Sequence, residues 1–158
     1  MTRLVGLIAG AVIATASVSA QQPPAPAPAG QATPAPATRV FGSNTGLVLN
    51  FIKADKTADF EAVMAKLKEA LEKSENPVRK QQAASWRVFK SPEAGPGGAA
   101  LYVYIVDPAV KGADYSVTSI LSEAFSSDEL PALFKQYNDA YATGQNYVNL
   151  NLVAELGK

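Results

Sequence analysis

The chain of 158 residues contains no cysteine and no histidine. The first absence excludes disulfides, a thiol nucleophile and a lipidated cysteine, so the fold must be held by its core alone. The second removes the usual imidazole acid or base. Together they remove the common ligand sets of zinc and haem. Charge of neither sign is in excess, with 14 basic and 14 acidic residues. No basic stripe with interleaved aromatics is present, so nucleic acid is not an expected partner. Nor is there an internal repeat of solenoid period. Residue types alone therefore assign no catalytic group, no metal and no cofactor.

What is present begins with MTRLVGLIAGAVIATASVSA: Arg3, an apolar run from Leu4 to Ala14, and small residues ending Val18-Ser19-Ala20. This is the layout of a secretory signal peptide over residues 1–20, with Ala20 the last residue removed. Extended through its Thr and Ser residues, the same run approaches membrane-spanning length, so the rival reading is an uncleaved anchor. Residues 21–38, QQPPAPAPAGQATPAPAT, carry no charge and no aromatic side chain. Such a segment favours polyproline II and reads as a semi-rigid spacer, the alternative being an SH3-type ligand. Residues 39–158 remain as one domain with a core. The expected location is periplasmic or secreted, with membrane contact only if the first segment stays uncleaved.

Within the domain, TGLVLNFIK (Thr45 to Lys53) reads as a first strand. Asp55 and Thr57 are candidate caps for a helix with Phe60, Val63, Met64, Leu67 and Leu71 on one stripe. SENPVRK breaks it, because a residue before proline is biased away from helical geometry. AASWRVFK (Ala83 to Lys90) and LYVYIV (Leu101 to Val106) read as a hairpin across SPEAGPGG. A helical piece near Ser116 to Phe125 follows. A second opens at Ser126 and Glu129 with capping-box spacing and runs through Leu130, Leu133, Phe134, Tyr137 and Tyr141 to a stop at Gly144. YVNLNLV, residues 147 to 153, is the fourth strand.

The resulting β-α-β-β-α-β order is that of a ferredoxin-like α+β fold. On that order, on domain size and on the WRVFK strand before a hairpin, residues 46–156 resemble the dimeric α+β barrel superfamily. That superfamily includes antibiotic-biosynthesis-monooxygenase-like and NIPSNAP-like domains. The resemblance implies a four-stranded antiparallel sheet in the order 4-1-3-2, helices on one face, and a homodimer in which a second subunit covers the other. Haem-degrading relatives use a histidine, a role no position here can inherit. Cofactor-free monooxygenases of the superfamily position substrate with Asn, Trp, Tyr and Arg, which Asn50, Arg87, Tyr102 and Tyr104 match in composition.

In that arrangement the aliphatic sets (Leu47, Leu49, Phe51; Leu101, Val103, Ile105; Val148, Leu150, Leu152) are expected under the helices, with Trp86 and Val88. Alternation then puts Val48, Asn50, Ile52, Arg87, Phe89, Tyr102, Tyr104, Tyr147, Asn149 and Asn151 on the open face. Burying an unpartnered amide costs about 1–3 kcal/mol, whereas Val or Leu there would contribute about 1.5–3 kcal/mol. A wet sheet face is one explanation of the asparagines. The other is a cavity in which Asn50, Asn149, Asn151 and Arg87 orient a small, partly apolar ligand against Tyr102 and Tyr104. Three readings follow: a ligand-binding domain, a monooxygenase-like enzyme, or a structural and interaction domain.

Weaker signals have plainer explanations. GPGG precedes a strand rather than a helix, so it is turn chemistry and not a phosphate cradle. Asp55, Asp59 and Glu61 lack a calcium-loop pattern and sit where acidic charge suits a helix N-terminus.

Overall fold

A computed structural model describes residues 39–157; the expected signal segment and spacer lie outside them. The elements are β1 (Thr45–Ile52), α1 (Thr57–Lys73), α2 (Pro77–Ser85), β2 (Trp86–Ala94), β3 (Ala100–Val106), α3 (Val117–Ala124), α4 (Leu130–Ala140) and β4 (Tyr141–Leu150). The chain is thus α+β, with one antiparallel sheet of four strands in the order β2-β3-β1-β4.

Local chemistry accounts for the element ends, in places differently from expectation. The first helix follows a short 3-10 turn, Ala54–Lys56, and no side chain caps it, so Asp55 and Thr57 do not serve as caps. The break at Asn76-Pro77 also starts an additional helix. The extended backbone that proline imposes on Asn76 suits an N-cap, and its Oδ1 accepts the Val78 N–H at 2.9 Å. As a result Ala83 to Ser85 are helical and β2 begins at Trp86. The Ser126 and Glu129 spacing forms half of a capping box: Glu129 Oε2 accepts the Ser126 N–H at 3.2 Å and its hydroxyl at 2.8 Å, but α4 begins only at Leu130, after Glu129, and no side chain caps it. Helix α4 stops at Ala140, before Gly144, because the chain turns extended at Tyr141 and enters β4 directly. Gly144 lies inside that strand, and Ala140 accepts the Lys53 N–H at 2.9 Å.

The core lies between one sheet face and the helices, and the face is the opposite of the one expected. Val48, Asn50, Ile52, Tyr102, Tyr104 and Val106 are buried against Phe60, Val63, Leu67, Ile120, Leu121 and Tyr137. Leu47, Leu49 and Phe51 of β1 and Leu101, Val103 and Ile105 of β3 point to the other side and are only half-buried. Val148 and Leu150, paired with Leu47 and Thr45, share that side and are exposed.

Three features set this facing. Gly46 sits on the helix side, where the ring of Phe41 fills the space a side chain would take, 2.4 Å from an ideal Cβ. Phe41 in turn meets Tyr115 and Tyr147 at ring-centroid distances of 5.1 and 5.7 Å. The tyrosines are core residues because a phenol buries its ring while its hydroxyl reaches the margin of the layer. Phe60 of α1 packs against Tyr102, Tyr104, Tyr137 and Tyr141 with centroids 4.7–6.4 Å apart. Asn50 is admitted because every hydrogen-bonding position of its amide is used.

Candidate functional site

The six residues expected to converge on an open face separate into five environments. Asn50 is fully buried at the centre of a closed polar circuit. Its Nδ2 donates to the carbonyls of Val48 and Tyr102 at 3.3 and 3.2 Å. Its Oδ1 accepts from the Tyr141 hydroxyl at 3.0 Å and from Gln145 Nε2 at 2.8 Å. The hydroxyls of Tyr137 and Tyr141 are 2.7 Å apart, and Gln145 Nε2 lies 3.0 and 2.8 Å from them. The hydrogens close if Tyr141 donates to Asn50, Tyr137 donates to Tyr141, and the Gln145 amide divides between Asn50 and a phenol oxygen. Burial raises the pKa of Tyr104, Tyr137 and Tyr141, so all three stay neutral donors across the physiological range.

Tyr102 is buried except at its hydroxyl, which donates to Glu61 Oε1 at 2.5 Å. Lys90 donates to the same oxygen at 2.9 Å and lies 5.4 Å from the Tyr102 ring centroid. The phenol donor first and the ammonium second hold the Glu61 carboxyl below its ordinary value. This triad clamps the edge strand β2 to α1. Tyr104 is wholly buried and its hydroxyl meets Met64 Sδ at 3.1 Å.

Asn149 and Asn151 fasten the segment that leads into β1. Asn149 Oδ1 accepts the N–H groups of Gly42 at 2.8 Å and Ser43 at 3.4 Å, and Asn151 Oδ1 accepts the Ser43 hydroxyl at 2.9 Å. Arg87 alone lies on the bare side, opposite Ile105, exposed and, among the described residues, without a hydrogen bond or ion pair. Asn50, Tyr102 and Tyr104 are therefore on one side of the sheet and Arg87 is on the other. No ligand contacts all four at once.

What the sequence reading missed is the character of the bare side. At its paired positions stand Leu47, Leu49 and Phe51, then Leu101, Val103 and Ile105, with Phe89, Val148 and Leu150 toward the edges. Arg87 is the one charged residue at these positions, and Gly95, in the turn after β2, lies against the Phe51 ring at one end of them. Phe89, Val148 and Leu150 are 47%, 37% and 39% exposed. Four adjacent strands, about 4.8 Å apart and about seven residues long, make an apolar footprint of roughly 450 Å². Soluble monomers rarely leave such a contiguous patch to water, and where they do it marks an interaction site. The signal was legible in principle, since both faces of β1 read as apolar.

Two further features lie on the helix side of the sheet. A groove of about 350 Å³ runs between α1 and β2, walled by Met64, Leu67, Leu71, Trp86 and Val88. Arg79 of α2, nearly buried, binds Glu123 at 2.6 and 3.0 Å, Gln82 at 2.7 Å and the Asp114 carbonyl at 2.5 Å. The second arrangement is a structural staple between α2, α3 and the loop before α3. Among the described residues no group of three or more acidic side chains is placed to hold a metal ion.

Comparison with protein-family models, with curated proteins and with solved structures finds no match to this chain in any of the three.

Proposed function

We propose that this is an exported, self-pairing α+β domain in which two copies stack their bare sheet faces. The assembled form is then a closed dimeric α+β barrel of two ferredoxin-like halves, acting as an interaction and assembly module. One observation carries the reading: the nine apolar side chains of the uncovered face, joined at paired positions by one guanidinium, Arg87, and by the uncharged Thr45 and Asn146. A second copy suits that face because the patch is self-complementary under a two-fold axis and has no charge pattern aimed at a different partner. The N-terminal segment, read as a signal peptide and spacer, supports export.

Sedimentation equilibrium of the full chain tests this. The wild-type protein sediments as a dimer at micromolar concentration. Leu49→Asp, at the centre of the face, buries an unpaired carboxylate in the interface and raises the dissociation constant about a hundredfold, equivalent to about 3 kcal/mol. A wild-type chain that stays monomeric to about 100 µM, far above the range of a standard interface, removes the proposal.

A second reading is supported by Arg87. Stacking encloses or rims this unpartnered guanidinium with apolar neighbours, and an unpaired charge in such a place is costly. An acidic ligand with an apolar body would meet both. Binding of decanoate, lost in Arg87→Gln while the dimer persists, tests it. Equal binding of decanoate and decanol removes it.

A further inference from the structure

A hollow of about 430 Å³ opens at the β4 edge of the sheet, against the end of α4. An irregular strand pairing makes it. Asn50 and Ile52 of β1 pair with Gln145 and Tyr141, so Ala142, Thr143 and Gly144 together stand opposite Phe51 alone. Extra residues in one strand bend it away from its partner and re-aim the side chains beside them. Tyr141 and Gln145 both turn to the helix side, where their polar ends meet the Tyr137 hydroxyl. Between them the backbone bows outward, and an added Cβ at Gly144 would meet nothing within 4 Å.

Two polar groups at this hollow have no hydrogen-bonding partner among the described residues. The first is the Arg39 guanidinium. The Arg39 backbone is held by Asp114 Oδ1 and by the Tyr115 N–H, while the charged end lies 5.0 Å from the Tyr147 ring centroid with no ion pair. Asp114 Oδ1 accepts instead from the Ser116 N–H and hydroxyl. The second group is Gln145 Oε1. Its amide nitrogen serves the buried circuit, donating to Asn50 Oδ1 at 2.8 Å, and the carbonyl end of the same amide has no donor. Asn138 and Thr143, both exposed, complete the polar rim, and no acidic side chain lines the hollow.

We infer that this hollow binds a small carboxylate bearing hydroxyl groups, of the uronate class. A guanidinium with its fork free matches a carboxylate in shape and charge. Gln145 Oε1 lacks a donor, which a ligand hydroxyl supplies, and the carboxamide of Asn138 and the hydroxyl of Thr143 each both donate and accept. A neutral sugar would leave the guanidinium unanswered. A fatty acid would find no aliphatic wall, since Ala142 is the one aliphatic side chain in the lining. The volume is in the range of small-molecule sites, about 300–1,000 Å³. Tyr141 and Gln145 face away from the bare side of the sheet, so the hollow stays open whether or not two copies stack, and it does not involve Arg87.

The test titrates the full chain with D-galacturonate, D-galactose and acetate by calorimetry and by amide NMR. Galacturonate is expected to bind at least about tenfold more tightly than either of the others, shifting the Gly144 amide. Arg39→Gln, which keeps the backbone bonds of this position, weakens galacturonate at least about tenfold and leaves galactose unchanged. Asn138→Asp, at an exposed rim position, sets a like charge beside the ligand carboxylate and has the same selective effect. Lys68→Gln, which removes a positive charge on an exposed part of α1, changes neither. Galactose or acetate binding as tightly as galacturonate overturns the inference. So does galacturonate binding of unchanged strength in Arg39→Gln or Asn138→Asp, or the lack of any binding up to about 10 mM, weaker than a few kcal/mol of affinity. A monomeric wild-type chain removes the stacked dimer and leaves this site standing.

Discussion

Asn149 accepts the backbone N–H of Gly42 at 2.8 Å, joining residues 107 positions apart in the chain. The bond belongs to a seam that holds the segment before β1. Arg39 donates its N–H to Asp114 Oδ1 at 2.9 Å, and its carbonyl accepts from Tyr115 at 2.7 Å. The Asn44 carbonyl accepts from Ala109 at 2.6 Å. The seam seats Phe41 over Gly46. Asparagine stands in β4 because a short amide acceptor reaches this backbone where valine cannot. Asn149→Val therefore lowers stability by about 1 kcal/mol despite its higher strand propensity. Denaturant midpoints check it.

Asn50 makes the corresponding prediction for the core. Replacing it with leucine removes the one oxygen that accepts from both Tyr141 and Gln145, and both amide donors at once, leaving buried groups unpaired. The expected loss is about 3 kcal/mol. Gln145→Leu alone costs less, because Gln145 is only half-buried. In the double variant the losses do not add, since the second substitution removes a group the first had already orphaned. A coupling energy of about 1 kcal/mol or more is expected from the cycle, and strict additivity would show that the circuit is not one unit.

The elements were largely legible in the sequence, whereas the facing of the sheet was not. The stripe of Phe60, Val63, Leu67 and Leu71 specifies α1 because only one side of it is apolar. Strand β1 offers Leu47, Leu49 and Phe51 on one side and Val48 and Ile52 on the other, so alternation alone does not decide between them. The decision comes from groups far away in sequence: Phe41 requires Gly46 beneath it, and Gln145 and Tyr141 require Asn50. The helix α2 was hidden for a local reason, since the Asn76-Pro77 pair that ends one helix also caps the next. Of the expected site residues, Asn50, Asn149 and Asn151 are accounted for by bonds to distant backbone and side chains, which no single-strand pattern displays.

Gly46 is the backbone position on which this facing depends. An added Cβ would lie 2.4 Å from two carbons of the Phe41 ring, closer than any real contact. Gly46→Ala forces that ring out of its place between Tyr115 and Tyr147 and costs about 2–3 kcal/mol, as over-packing in a tight core does. In a Phe41→Ala background the same substitution meets open space and costs less than about 1 kcal/mol. Thermal or chemical unfolding of the four proteins in the cycle measures the difference. An equal loss in both backgrounds would show that the ring does not select the glycine.

Arg79 and Glu123 are an asymmetric pair, with side chains 8% and 47% exposed. Removing the buried partner is therefore worse than removing the exposed one. Arg79→Met orphans Gln82 Oε1 and the carboxylate and leaves the Asp114 carbonyl with Gln82 Nε2, at 3.1 Å, as its remaining side-chain donor, and lowers stability by about 3 kcal/mol. Glu123→Gln retains a hydrogen-bond acceptor in a partly solvated place, and lowers it by no more than about 1 kcal/mol. Equal losses from the two substitutions would count against the staple.

The acid limb of stability provides a test by titration. Lys73 foremost, and then Lys66, donate to the Glu69 carboxylate at 2.6 and 2.9 Å and hold its pKa at about 2 against an ordinary 4.5. A carboxyl depressed on folding stabilises the folded state fully above its unfolded value, and that contribution is lost as pH falls from about 4.5 toward about 2. Lys66 also lies 5.0 Å from the Phe125 ring centroid, so the same ammonium bridges α1 and the end of α3. Glu69→Gln is expected to be less stable than wild type near neutrality and to approach it as the solution is acidified through this window. Because the pairs are exposed, high salt narrows the difference at neutral pH. Unfolding midpoints taken between pH 2 and 6, about the carboxylate range, together with a carboxyl NMR titration of Glu69, decide it. A gap that stays constant across the window would show that the lysines do not hold the charge.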